Sequence, residues 1–121
     1  MLPFLQRLMN WSKPMPLFES RRIHIDSDVV RIHIEGQKPI EFRWAEVLEI
    51  ATYKRDWLTF DEICLSFKLA DRVIVASEEM EGWLELVEAL PSHFPDIPRD
   101  WKREVMFPAF EPKSRMLYKR V

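Results

Sequence analysis

The chain has 121 residues, 47% of them hydrophobic and 31% charged, with a net charge of −2 and one cysteine. That size suits a single domain able to bury about two-thirds of its unfolded surface, and the composition excludes an intrinsically disordered chain. Cys64 stands alone, so an internal disulfide is excluded, and no run approaches the ~20 apolar residues that would span a bilayer.

The first residues, MLPFLQRLMNWSKP, lack the unbroken apolar core and small-residue cleavage site of a secretory signal, and a cytoplasmic protein is expected. Within 1–20, Leu2, Leu5, Leu8 and Met9 recur at helical spacing before Pro14 and Pro16 break the pattern. The segment reads as an amphipathic helix followed by an extended stretch. It precedes a single domain over 21–121 that ends in a basic tail.

From Arg21 the period changes to two. Ile23 and Ile25 alternate with polar residues, as do Val30, Ile32 and Ile34, with turn chemistry between them at Asp26-Ser27-Asp28. Pairing Ile25 with Val30 and Ile23 with Ile32 gathers all five apolar side chains on one face, and a one-residue slip would undo it. Gly36 marks the next turn, and Ile40, Phe42 and Trp44 alternate as a third strand. A helical turn at Ala45 to Val47 leads to a fourth strand, Leu48 to Lys54. A long connection is expected from Arg55 to Asp61. The fifth strand alternates Ile63, Leu65, Phe67 and Leu69 with Glu62, Cys64, Ser66 and Lys68. A turn at Ala70-Asp71 sets Phe67 opposite Ile74 in a sixth strand.

The period then becomes 3.6. Ser77 is read as an N-cap, with Met80, Trp83, Leu84, Val87 and Leu90 as the inward stripe and Pro91 and Pro95 as the stop. Asp100 caps a short helix from Trp101 to Met106, and Arg115 to Arg120 forms a final edge strand. An α+β fold follows: an antiparallel meander of six to seven strands, curled into a partly open barrel or sandwich and capped by one amphipathic helix. This is the architecture of a pleckstrin-homology-like domain.

The runs EFRWAEVLEIATYKRD, FDEICLSF and SEEMEGWLELVEALPSHFPDI carry a resemblance. Arg43, Trp44, Val47, Glu49 and Ile50, then Asp61 and Glu62, then Gly82, Leu86, Leu90 and Pro91 match recurring features of small uncharacterised bacterial proteins with a pleckstrin-homology-like fold. The match spans residues 22–98; the N-terminal helix and basic tail depart from it. It implies a fold and no activity.

Common chemistries find little support. With glycine only at 36 and 82, no phosphate-cradling loop or dinucleotide fingerprint can be built, and no G-x-S-x-G elbow is present. Cys64 sits mid-strand and reads as a packed, inert thiol. In the register above His24 faces Arg31 and His33 faces Arg22, so two imidazoles share a face with Asp26 and Glu35. The interleaved arginines oppose a cation there, and no metal or other cofactor is expected. Asp61 and Glu62 point to opposite faces of a strand and cannot form a catalytic dyad. The chain is read as not an enzyme, with an enzyme of unrecognised type, its catalytic set assembled from distant residues, as a second alternative to the binding reading below.

Charge is unevenly spread: +3 over 1–22 and +4 over 99–121, leaving −9 across 23–98. An acidic middle is unsuited to nucleic acid, which needs clustered Lys and Arg. The expected function is a non-catalytic protein-interaction module, of which a toxin-neutralising immunity-type protein is one instance, with Asp56, Trp57 and Phe60 as contact residues. The alternative is a peripheral membrane adaptor using the N-terminal helix and the basic ends, although the single Arg7 before Trp11 offers little attraction to anionic lipid. A second subunit is another place for the N-terminal stripe to dock.

Overall fold

A computed structural model describes residues 21–56, 61–106 and 113–121. The fold is α+β, with two antiparallel sheets that are not closed into a barrel. Strands β1 (Arg21–Asp26), β2 (Val29–Ile34) and β3 (Ile40–Arg43) form a three-stranded sheet. Strands β4 (Glu49–Asp56), β5 (Asp61–Lys68), β6 (Val73–Ser77) and β7 (Lys113–Lys119) form a four-stranded sheet in the order β6-β5-β4-β7. Helix α1 spans Trp83–His93 and α2 spans Trp101–Met106.

The β1–β2 register is the expected one, with Ile23 opposite Ile32 and Ile25 opposite Val30. The two-residue turn between them holds Ser27 at φ 56. Phe67 pairs with Ile74, and the Leu69 amide donates to the Arg72 carbonyl at 2.8 Å, as the meander requires. Trp44 does not extend β3: it opens a 3₁₀ turn over Trp44–Glu46, where the Arg43 amide donates to the Glu46 carboxylate at 2.8 Å. The expected long connection from Arg55 is also shorter. β4 runs on through Asp56, which pairs with Asp61, so β4 and β5 form one hairpin.

The inner face of the four-stranded sheet packs on the apolar face of the three-stranded one. Phe42 and Phe67 meet there with ring centroids 5.1 Å apart, and Val30, Ile32, Ile50, Leu65 and Leu90 fill the space around them. Helix α2 seats on the same inner face. Buried Lys54 of β4 donates to the Met106 carbonyl at 3.2 Å, a cation at a helix C-terminus, and Arg115 of β7 holds the Glu104 carboxylate.

Helix α1 begins later than its sequence pattern suggests. Ser77 closes β6 instead of capping a helix; its hydroxyl accepts from the Glu79 amide at 3.1 Å. The segment that follows is held by β1: Ile23 N–H donates to the Glu81 carbonyl at 2.7 Å, and Glu81 N–H donates to the Arg21 carbonyl at 3.2 Å. This short parallel bridge ties β1 to the segment between β6 and α1. Gly82 then turns the chain into α1 with φ 91. The inward residues are Trp83, Leu86 (0% exposed) and Leu90, with Val87 half-buried. Leu84, expected inside, points to solvent. Pro91 does not stop the helix. It lies in the last turn, which closes with Phe94 N–H donating to the Leu90 carbonyl at 2.8 Å. The short helix over Trp101–Met106 and the final edge strand form as expected, although the strand runs from Lys113 to Lys119.

Candidate functional site

The proposed contact residues fall mostly outside this description. Asp56 ends β4, and Trp57 and Phe60 lie outside the described residues, as does the amphipathic pattern of residues 1–20. Three other surfaces carry clusters of functional groups.

The first is the solvent face of the three-stranded sheet. Its register places His24 opposite Arg31 and His33 opposite Arg22, as the alternation implies. Arg31 is the organising group: its Nε donates to Glu41 at 2.6 Å and its Nη1 stands 3.6 Å from the Asp26 carboxylate. The guanidinium thus engages Asp26 and Glu41 on this face. Among the described residues no group of three or more His, Cys, Asp or Glu side chains converges to hold a metal.

The second is the outer face of the four-stranded sheet, where the register aligns Tyr53 with Cys64 and Arg55 with Glu62. The Ser77 hydroxyl donates to the Glu62 carboxylate at 2.5 Å, and the Arg55 guanidinium stands 3.6 Å from the same carboxylate and donates to the Tyr53 hydroxyl at 3.2 Å. Burial pushes the Cys64 thiol up to about 12, against the lowering influence of Arg55. Burial also raises Tyr53. A protonated thiol and phenol next to a carboxylate already engaged by serine and arginine offer neither a nucleophile nor a base at neutral pH. The alternation of β5 marks these positions as a polar face. It does not reveal that they are buried.

The third surface is the outward face of α1. Leu84, Glu85 and Glu88 are exposed on α1, as is Glu81 just before the helix, and Leu84 is 64% exposed. From Ser77 to Pro98 the chain has six carboxylates and neither lysine nor arginine. Burial together with Glu62 and Glu78 raises the Glu79 carboxyl. The missing cations are legible in the sequence. The outward direction of Leu84 is not, because it depends on where the helix begins.

No protein-family model, curated protein or solved structure matches the chain. Among the described residues no helix is long and apolar enough to cross a membrane.

Proposed function

We propose that the protein is a non-catalytic, cytoplasmic interaction module with a pleckstrin-homology-like fold, and that it binds a basic protein segment through the outward face of α1. The observation that carries this reading is Leu84, 64% exposed, with Glu85 and Glu88 exposed on the same helix, on a stretch without any basic residue. A large apolar side chain accompanied by carboxylates supplies an anchor that excludes water and a rim that selects positive charge. The helix itself is held from behind by Trp83, Leu86 and Leu90, so the surface is pre-organised. The two antiparallel sheets with a helix following the sixth strand support the fold assignment, as does the resemblance over residues 22–98. An immunity-type role, neutralising a basic toxin, is one form of this function.

The test compares the intact protein with a Leu84→Lys, Glu85→Lys variant as bait in a cell lysate at increasing salt. The expected result is a basic protein retained at low salt, released as salt rises, and lost by the variant while its melting temperature is unchanged. Retention that is indifferent to salt and to these substitutions would overturn the assignment of α1.

A further inference from the structure

Each sheet ends in two edge strands, and three of the four are blunted. β1 is bridged to Glu81. β3 is four residues long and passes directly into the 3₁₀ turn at Trp44. β7 carries Lys113, Arg115 and Lys119, the kind of charge that discourages pairing at a sheet edge. β6 is Val-Ile-Val-Ala-Ser, without a charged residue or a proline, and among the described residues it pairs only with β5. Its free main-chain groups can be assigned. Leu69 N–H donates to the Arg72 carbonyl and Glu78 N–H to the Ile63 carbonyl, so Arg72, Ile74, Ala76 and Glu78 turn their backbone groups toward β5. The amides and carbonyls of Val73, Val75 and Ser77 therefore point away from the sheet. Of these, the Ser77 carbonyl also accepts from Met80 N–H at 3.0 Å, which leaves it a second lone pair. Val73 is 59% exposed and Val75 half-buried.

We propose that β6 of a second copy of this chain pairs with this edge, antiparallel about a two-fold axis at Val75, and joins two four-stranded sheets into one. The sequence around β6 fits that symmetry. An axis at Val75 sets Val75 opposite its own copy and Val73 opposite Ser77, so the outward main-chain groups all meet as hydrogen-bonded pairs. Val75 against Val75 is a β-branched cross-strand pair of the kind that stabilises a sheet. The same register sets Arg72 of each copy opposite Glu78 of the other. Both side chains have capacity left. Arg72 is exposed and donates through Nη2 to the Glu41 carbonyl at 2.7 Å, with further N–H groups to give; Glu78 is half-buried and accepts from Ile63 N–H through one oxygen at 3.0 Å. Moving the axis to Ile74 or Ala76 sets Arg72 opposite Ala76 or Met80 and leaves the charge pair unmade. None of these groups belongs to α1, so the dimer is independent of the binding surface proposed there.

Sedimentation equilibrium of the full chain at micromolar concentrations should report a monomer–dimer equilibrium. Val75→Lys would set two lysines face to face at the axis, and Arg72→Glu would set a carboxylate against Glu78 at both ends. Each should raise the dissociation constant at least about ten-fold while the melting temperature is unchanged, because like charges directly opposite destabilise a strand pair. Glu78→Lys should weaken the dimer in the same way. Mixing the Arg72→Glu and Glu78→Lys variants remakes both charge pairs and should restore association as a mixed dimer. If Val75→Lys fails to fold, the Arg72→Glu variant supplies the same readout. A chain that is monomeric throughout, or a dimer that survives both Val75→Lys and Arg72→Glu, would overturn the proposal. So would a dimer lost only on removal of residues 1–12, since the contact would then belong to the N-terminus.

Discussion

At Gly82 the backbone adopts φ 91, and a Cβ built there would stand 2.2 Å from the Ile23 carbonyl oxygen. Both obstacles fall on the point where the bridge from β1 releases the chain into α1. Gly82→Ala should destabilise the protein by at least about 2 kcal/mol, because the left-handed conformation is costly for any L side chain and the contact is with main chain that cannot step aside. Chemical denaturation measures this, and a loss below about 0.5 kcal/mol would show that the bridge is dispensable. Cys64 offers a pH-dependent test. Its thiol is held near 12 in the folded state against 9.0 ordinarily, so the folded protein keeps a proton that the unfolded chain gives up. The stability this contributes is complete below about pH 9 and is lost as pH rises toward 12. Relative to Cys64→Ala, the wild-type protein should therefore lose stability more steeply over that alkaline interval. Parallel curves would mean the thiol titrates normally. Such environments are hard to read from sequence at single positions. On β4 it is Thr52 and Lys54 that face the core and Tyr53 that faces outward, because neighbouring Leu65 and Ile63 fix the register and a buried lysine finds the Met106 carbonyl.

Among the elements, the strands were more legible than the helix. The alternation of Ile23, Ile25, Val30 and Ile32 determines the β1–β2 register because every slip exposes the whole apolar set. Helix α1 obeys a tertiary constraint with a weaker local signature. Residues 78–81 form backbone bonds to β1 and β5, so the first helical turn expected at Ser77 does not form and Met80 is buried from a turn. The helix then carries Trp83, Leu86, Val87 and Leu90 inward, and Leu84 lies about 110° from the centre of that stripe at 100° per residue. Leu86→Ala should cost about 2–5 kcal/mol through lost transfer energy and a residual cavity, whereas Leu84→Ala should stay within about 0.5 kcal/mol. Reversal of these two values in thermal or urea unfolding would restore the earlier stripe and remove the exposed anchor from the proposed contact surface.

For the molecule as a whole, the two sheets stack through Phe42, Trp44 and Phe67, and the Arg22–Glu81 bridge ties β1 to the segment that leads into α1. This arrangement holds α1 against the core by one face and leaves its acidic face to solvent. The charge asymmetry was visible in the composition, since 23–98 carries −9 while the ends are basic. Its concentration around an exposed leucine became visible only once the helix boundaries were known. The most direct test is carbodiimide coupling of the protein to its salt-sensitive partner, which joins carboxylates to lysines in contact, followed by mass spectrometric mapping. The expected result is linkage of partner lysines to Glu81, Glu85 or Glu88. Linkages confined to Asp26, Glu35 and Glu41 on the three-stranded sheet would contradict the account and move the interface to the histidine-bearing face.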